Sequence, residues 1–553
     1  MGRRILALLV AATALAGLAA AYAERDGRAS GSSPRGGGAK QGGDVTVASV
    51  GKPDFLDPAL GYTVAAYLPM GVVYTPLLTY RHTEGQRGAE LVPGLARSLP
   101  QVLDGGRTYR LRLRDGLQYS DGRPVRASDF EHTIKRVLRL KSGGSSFFLG
   151  IVGAEQYAGS KRPESDISGI RADDATGTIT IRLKGPDATF SNVLAMNFAA
   201  LVPSGTPFRN LSRNPPPGVG PYRFTESQPS RRYVLEKNPR FNVSGLPKGN
   251  VDTITTRVIT SSERATQEVI RNRIDFMWDP PAPDLIAQIR RRYADRYREY
   301  TANATDYIWM NSRVPPFDKK AVRRAVHFAI DKRALVRIAA GLAEPTCNFL
   351  PPNMPGYRRL QPCPFGNPEG GQDVNRARRL IRQAGAEKAP VTVWLYSEVT
   401  GPKIGSYYVD VLNQIGLRAK LKLLGFGTLG PTLGNQRTRA QTGFLGWVQD
   451  FPHPANFMFL VNGATIQPEN NQNFSNTNDP VINAGIERLR RAPNLQRVKN
   501  QWARLDRRVV EEAYLIPTDN PKFTAFMSER MNFKDCLGVH PVLIVDYASF
   551  CLK

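Results

Sequence analysis

The segment 447–457 (WVQDFPHPANF) combines side chains that could bind a charged ligand. Asp450 follows Trp447 by three residues, and a short apolar run precedes the tryptophan. The run predicts the end of a buried strand, and two closely spaced prolines predict an ordered, non-helical loop after it. A partly buried carboxylate needs a cationic partner, and an indole offers a flat wall to apolar or cationic groups. The pair therefore suits an ammonium group beside carbon-rich bulk. A structural tryptophan with a turn-forming aspartate would give the same pattern.

A second motif points to nucleotides but fails on its surroundings. Residues 425–430 match G-x-G-x-x-G after a predicted strand, and Asp450 lies 20 residues beyond the last glycine. That spacing is typical of dinucleotide-binding units. Pro431 and Gly434 are expected to interrupt the helix that would hold the pyrophosphate, so we reject this interpretation. The five histidines are dispersed, and His453, which alone falls in the candidate segment, is expected to be solvated. We predict no catalytic residue, no metal site and no cofactor.

Composition and charge restrict the possible partners. The chain has 553 residues, 41% hydrophobic and 22% charged, which predicts a globular protein of two or three domains. A net charge of +27 is compatible with nucleic acid, an anionic surface or acidic ligands. The basic residues form only short groups, such as 290–292, separated by ordinary sequence. We therefore expect solubility and surface attraction rather than a nucleic-acid partner.

The amino-terminal residues predict export. Arg3 and Arg4 precede an apolar run that ends in an Ala-Tyr-Ala cleavage pattern at residue 23, so residues 1–23 are interpreted as a signal peptide. Its removal would lower the net charge from +27 to +25. Residues 24–43 are rich in glycine and serine and are predicted to be a flexible linker. Order is expected from Asp44.

Four cysteines, all late in the chain, predict disulfides in an exported protein. We favour the two local pairs, Cys347–Cys363 and Cys536–Cys551, because each closes a short loop that contains proline or glycine. A zinc site is the alternative, but no C-x-x-C spacing supports it.

Periodicity predicts a mixed α/β chain. Tyr109 and Leu111 alternate with arginines, as in a half-buried strand. A helix is expected from Phe130, capped by the preceding Ser-Asp pair. Residues 391–396 and 417–424 read as strands joined by a helix, which makes a β-α-β unit. Residues after 515 are expected to form short strands.

Many of these segments resemble one family, the extracellular solute-binding proteins of ABC importers, in the peptide/nickel-binding group. The resemblance covers nearly all of residues 44–550, and its motifs occur in the family's order. They are residues 55–58, 91–96, 113–116, 120–129, 218–222, 322–325 with 329–331, and 375–377 with 384–385.

The resemblance implies a fold of two α/β lobes around a cleft, with an extra strand-rich domain beside the first lobe. Closure of the lobes would bury the ligand. The implied divisions are residues 44–80 and 201–305 for lobe I, 81–200 for the extra domain, 306–515 for lobe II, and 516–553 for a return to lobe I.

The resemblance also implies a function and a site. In peptide-binding members an aspartate three residues after a tryptophan holds the ligand's amino terminus, and Asp450 and Trp447 match that spacing. The other expected ligand-binding residues are Phe451, Asn311, Tyr396 and Tyr62. The expected protein is a monomeric, non-catalytic receptor that delivers oligopeptides to a membrane permease. Because no cysteine precedes Cys347, we do not expect an amino-terminal lipoprotein.

Other functions stay open at this point. Within the same fold the ligand could be a nickel chelate, haem or an oligosaccharide. From other classes, an exported enzyme or a protein that binds anionic polymers would also fit the composition.

Overall fold

The structure, a computed structural model, describes residues 40–553. The predicted signal peptide and residues 24–39 of the predicted linker lie outside the described residues. The strands are β1 (Asp44–Ser49), β2 (Leu78–Tyr80), β3 (Leu91–Pro93), β4 (Gln101–Leu103), β5 (Thr108–Arg112), β6 (Ile170–Asp173), β7 (Thr178–Arg182), β8 (Tyr222–Gln228), β9 (Arg232–Lys237), β10 (Thr253–Val258), β11 (Phe276–Met277), β12 (Tyr297–Thr301), β13 (Ala304–Met310), β14 (Ala343–Pro345), β15 (Pro390–Tyr396), β16 (Arg418–Leu424), β17 (Thr442–Val448), β18 (Leu515–Met527), β19 (Val539–His540) and β20 (Ile544–Val545).

The α-helices follow the same chain order. They are α1 (Val64–Met70), α2 (Ser128–Arg139), α3 (Ala154–Gly159), α4 (Phe190–Val193), α5 (Ser262–Ile270), α6 (Ile286–Arg292), α7 (Lys320–Ala329), α8 (Lys332–Ile338), α9 (Val374–Gln383), α10 (Gly401–Gln414), α11 (Phe426–Leu433), α12 (Pro454–Met458), α13 (Pro480–Arg490) and α14 (Leu495–Glu511).

Strand β18 connects the two lobes. Its first part pairs with β13 and β14, and its second part pairs with β12 and β11. One lobe thus has the order β11-β1-β10-β9-β8, and the other has β16-β15-β17-β13. The predicted two-lobed α/β fold is therefore confirmed, whereas the predicted domain boundaries stay predictions. The expectation of only short strands after residue 515 is wrong, because β18 alone has 13 residues.

The second lobe contains the predicted β-α-β unit. Strands β15 and β16 are parallel, and α10 joins them. Strand β17 lies between β15 and β13, but it pairs with β15 only at Thr442 and Gly443. From Phe444 to Val448, β17 therefore pairs on one side only with the described strands. Hydrogen-bonding groups on its other edge can accept a further extended chain.

A smaller four-stranded sheet, β4-β5-β7-β6, is formed within residues 81–200. The predicted alternation in β5 is confirmed, since Tyr109 and Leu111 are buried and the arginines between them are exposed. Helix α2 begins at Ser128, slightly earlier than predicted. Its Arg136 forms a two-pronged ion pair with Asp57, at 3.0 and 2.8 Å, and both side chains are fully buried. Asp57 belongs to the family-like segment 55–58, which this pair joins to helix α2.

Both predicted disulfides are present, Cys347–Cys363 and Cys536–Cys551. Two statements about proline are corrected. Pro454 begins helix α12, since proline is well tolerated in the first helical turn. Pro431 lies inside helix α11 and does not interrupt it. Within residues 40–553, none of the helices combines the length and apolar character that a membrane span requires.

Candidate ligand-binding site

The end of β17 positions the predicted pair of Trp447 and Asp450. Two residues after the strand ends, Asp450 enters a short loop that closes at helix α12. His453 caps this helix, because its Nδ1 accepts a hydrogen bond from the Ala455 amide at 3.1 Å. His453 is buried rather than solvated as predicted, and burial lowers its pKa to about 4, so the cap is neutral. The histidine therefore shapes the loop.

Asn456 holds the loop in place. Its side-chain oxygen accepts hydrogen bonds from the Trp447 indole at 3.1 Å and from the Asp450 amide at 2.9 Å. Its amide nitrogen donates to Asp450 Oδ2 at 2.6 Å. Asn456 is completely buried, so these bonds fix the indole and the carboxylate relative to each other. The sequence reasoning missed this residue, which lies in helix α12 and is brought back towards Trp447 by the preceding loop.

Tyr62 reaches Asp450 from the other lobe. Its hydroxyl donates to Asp450 Oδ2 at 3.0 Å, and its ring meets the Trp447 indole edge-on at 5.7 Å between centroids. Burial, and then the nearby Asp450 charge, raise the pKa of Tyr62, so its hydroxyl stays a donor. Both hydrogen bonds to the Asp450 side chain thus end on Oδ2. No described residue donates to Oδ1.

Asp450 is a carboxylate without a counter-ion among residues 40–553. No described lysine, arginine or histidine lies within ion-pair distance of it. Burial raises its pKa to about 7, against the opposing effect of the hydrogen bonds from Asn456 and Tyr62. The side chain nevertheless keeps contact with a cavity of about 160 Å³, also lined by Tyr67, Trp447 and Phe474. A cation placed there would meet the free Oδ1 atom.

The remaining predicted residues do not all reach this cavity. Tyr396 lines an adjoining cavity of about 310 Å³, which shares Val64, Phe426 and residues of β17 with the first. Phe451 is buried and packs edge-on against Phe147. Asn311 is buried and donates to the Ala440 carbonyl at 2.8 Å. Neither Phe451 nor Asn311 lines the two cavities, so we omit both from the site developed below.

Further contacts join the region 81–200 to the second lobe. Phe147 stacks on Phe459 with 4.8 Å between ring centroids. The Asp187 carboxylate pairs with Arg490, and the Ala188 amide donates to the Arg490 carbonyl at 2.9 Å. The structure therefore represents a closed arrangement, with Tyr62 and Asp450 meeting from opposite lobes.

Comparison with known proteins defines the class. Residues 90–468 match the family described as bacterial extracellular solute-binding proteins, family 5 middle. The match covers more than half of the chain, and the chain therefore belongs to this family.

Individual relatives are distant. The chain is 25% identical to the glutathione-binding protein GsiB of Salmonella typhi over 355 residues, which cover 63% of this chain. The alignment spans 64% of that relative's length, just under two thirds. Among solved structures, the clavulanic acid biosynthesis oligopeptide binding protein 2 is 26% identical, with a TM-score of 0.79 over 93% of this chain and 96% of its own. The murein tripeptide binding protein MppA of Escherichia coli shares the fold, with 19% identity and a TM-score of 0.80 over 93% and 98%.

Proposed function

We propose that this protein is the peptide receptor of an ABC importer, and that Asp450 binds the amino terminus of the peptide. The observation that carries the proposal is the Asp450 carboxylate, which lines a cavity between the lobes. Its Oδ1 receives no hydrogen bond from described residues, and no described lysine, arginine or histidine lies within ion-pair distance of it. A charge held in this way needs a cationic partner, which a peptide's ammonium group supplies.

The neighbouring groups suit the first residue of a peptide. The Trp447 ring and the Tyr62 ring make an aromatic wall beside the carboxylate. Apolar residues such as Phe426 and Leu429 line the same cavity. An ammonium group next to a carbon chain would therefore find a charge partner and a contact surface together.

The edge of β17 supports an extended peptide. Beyond Gly443 this edge is unpaired with described strands, and Gly446 is exposed there. A ligand that adds a strand to this edge would be held through its main chain. Recognition by main-chain hydrogen bonds is tolerant of side chains, which suits a receptor for peptides of varied sequence.

The names of similar proteins agree with this chemistry. GsiB is described as binding glutathione, itself a small peptide with a free amino group, and MppA as binding a murein tripeptide. We extend peptide binding to this chain on the strength of the Asp450 geometry. Haem, which carries anionic propionates, and a neutral oligosaccharide give no reason for an unpaired carboxylate at this position. The groups that contact Asp450 are a phenol and an amide, which are binding rather than nucleophile-activating groups, so we propose no catalysis.

The cellular setting follows from the same family. We propose an exported monomer that hands its ligand to membrane permease subunits and has no nucleic-acid partner. Size-exclusion chromatography with light scattering tests the monomer.

Native mass spectrometry and calorimetry test the binding function. Protein purified without denaturation should carry small peptides that dissociate on partial unfolding. After their removal, a tripeptide with a free amino group should bind saturably and remain intact, and its amino-acetylated form should bind at least about 30-fold more weakly. Equal affinity for both forms would refute the role of the amino terminus. Conversion of the peptide to products would identify an enzyme.

A further inference from the structure

The larger of the two cavities is unusually acidic for one with apolar walls. Its volume is about 310 Å³, and it is lined by Trp278, Phe444 and Phe523 together with four acidic side chains from separate parts of the fold. These are Asp279 after β11, Asp306 in β13, Glu398 after β15 and Asp519 in β18. Asp306 and Asp519 lie on paired strands, and Asp279 reaches the same cavity from the other lobe.

Among residues 40–553, no lysine, arginine or histidine lies within ion-pair distance of these acidic groups, although the buried Lys332 is near enough to lower the pKa of Asp519. Asp519 is only 3% exposed and Asp279 only 8%, yet neither forms an ion pair with a described residue. The lysine that lines the cavity, Lys522, pairs instead with the exposed Glu344 at 3.3 Å. Lys332, which lies near Asp519, donates to the Thr346 carbonyl at 2.7 Å.

The individual carboxylates differ in how the fold uses them. Glu398 accepts two hydrogen bonds from the Phe426 amide, at 2.9 and 3.1 Å, and so caps helix α11. Asp279 accepts one hydrogen bond, from the Val50 amide at 2.8 Å, through Oδ2. Asp306 and Asp519 face each other across paired strands, and each carboxyl group affects the pKa of the other. Glu398 therefore has a structural role, while Asp279, Asp306 and Asp519 contribute carboxyl groups to the cavity wall.

Two carboxylates side by side in an apolar environment repel each other unless a proton or a cation lies between them. Among the described residues, no three histidine, cysteine or acidic side chains are arranged to hold a metal ion. An organic cation from the ligand satisfies both the charge and the size of the cavity. Burial raises the pKa of Asp306 and raises that of Asp519 to about 6, with the neighbouring carboxylate as a further cause for Asp306.

The distance from Asp450 fits a peptide side chain. Asp306 pairs in register with Gly446, and its carboxylate lies so close that any side chain at position 446 would collide with it. Asp450 is four residues beyond Gly446, so the Cα atoms of Gly446 and Asp450 are separated by roughly 13 Å at most, at about 3.3 Å per extended residue. A peptide whose amino group lies on Asp450 and which runs back along β17 would bring one of its first three side chains into the acidic cavity.

We propose that Asp279, Asp306 and Asp519 form a subsite for a lysine or arginine side chain near the amino terminus of the bound peptide. This subsite rests on the proposed peptide-binding function and narrows it to basic peptides. Charge would select the side chain, while the aromatic and aliphatic walls contact its methylene groups. A peptide with a neutral side chain leaves the acidic pair to share a proton, and an acidic side chain is repelled.

Calorimetric titration of the mature protein, after removal of copurified ligand, tests this subsite. The probes are Ala-Ala-Ala and three peptides with lysine at position one, two or three. Each lysine peptide is compared with its norleucine counterpart, which has nearly the same shape but no charge. At one position lysine should bind at least about tenfold more tightly than norleucine. D519N and D306N should abolish this preference by weakening the binding of the lysine peptide, and they should not weaken the binding of the norleucine peptide.

D284N is the matched control, because Asp284 is exposed and lies beside the cavity-lining Pro283 without lining the cavity itself. D284N should keep the preference for lysine over norleucine. If D284N lost this preference as fully as D519N and D306N, the preference would come from the overall negative charge of the region and not from the subsite. The comparison of lysine with norleucine on the native protein does not depend on the variants. Equal affinity of the native protein for both at all three positions would refute the subsite, whether or not the variants fold. If the free amino group still mattered in that experiment, the proposed peptide receptor would stand. If no peptide bound, both proposals would fall.

Discussion

The substitution D450N separates the charge of the proposed site from its shape. Asparagine has nearly the same volume as aspartate, and its oxygen can still accept the hydrogen bonds that Asn456 and Tyr62 donate to Oδ2. The amide nitrogen would then replace Oδ1, the atom that receives no hydrogen bond from described residues. It would present a donor to the ammonium group of the ligand, where the native protein presents a negative charge.

The cost follows from the closed geometry. Tyr62, Trp447 and the loop ending at α12 enclose the site, so a bound ammonium group would be separated from water without its counter-ion. Removing one partner of a buried, hydrogen-bonded charge pair costs about 2–5 kcal/mol, which corresponds to roughly a 30-fold loss of affinity or more. Ligand-free thermal stability should hardly change, because the carboxylate has no ion-pair partner among the described residues to lose.

Calorimetric titration of four combinations tests this reasoning. Native protein and D450N are each titrated with a free tripeptide and with its amino-acetylated form. Acetylation should cost the native protein about as much as the mutation does, and it should cost D450N little more, since both changes remove the same interaction. Additive losses would show that Asp450 does not hold the amino group. A large fall in the ligand-free melting temperature of D450N would show that the carboxylate is structural.

Three further predictions follow from charge and covalent structure. Burial on closure raises the pKa of Asp450 and of Asp279 to about 7, above the ordinary value near 4, so the closed empty form binds more protons than the open form between those values. Lowering the pH from about 7.5 to 5 should therefore shift the ligand-free protein towards the closed, more compact form, which small-angle scattering measures. D450N should respond less. An expansion over this pH range would contradict the raised pKa values of these two side chains. Peptide mapping without reduction should recover both disulfides, and replacing Cys347 and Cys363 together by alanine should lower the free energy of unfolding by about 3 kcal/mol in chemical denaturation. Any DNA binding by this basic chain should disappear near physiological salt in fluorescence titrations, and sequence-selective nanomolar binding there would contradict the absence of a nucleic-acid partner.

The parts of the fold that the sequence predicts are those where one local pattern has one structural role. Strand β5 shows clear alternation because one of its faces is buried and the other exposed. The β-α-β unit of the second lobe is likewise predicted from its periodicity. Strand β18 is missed, because nearly all of its residues are buried and its two parts pair with strands of different lobes. Its prolines and polar residues also interrupt the hydrophobic pattern from which a strand is predicted.

Residue types and spacing alone predict the candidate site only where its residues are close in sequence. Trp447 and Asp450 are three residues apart, so their spacing carries the signal. Tyr62 lies 388 residues away from Asp450, and only the resemblance places it in the site. The acidic cavity leaves no sequence signal at all, because Asp279, Asp306 and Asp519 belong to three different strands or loops. Asn456 was missed for a different reason, since an asparagine after two prolines is typical of an ordinary turn.

Closure and ligand binding are coupled through these unpaired acids. In the closed arrangement Tyr62 covers Asp450, and Asp279 lines the same cavity as Asp306 and Asp519. Without a cation, each carboxylate must either lose hydration or take up a proton, so the empty closed form is disfavoured at neutral pH. A ligand with an ammonium group removes that cost at Asp450, and a basic side chain removes it in the larger cavity. A ligand shifts the equilibrium between the open and closed forms only by its difference in affinity for these two forms. Here the difference comes from the carboxylates, which are hydrated when the lobes are open and need a cation when the lobes close. The proposed receptor would therefore close over basic peptides and reopen when they leave.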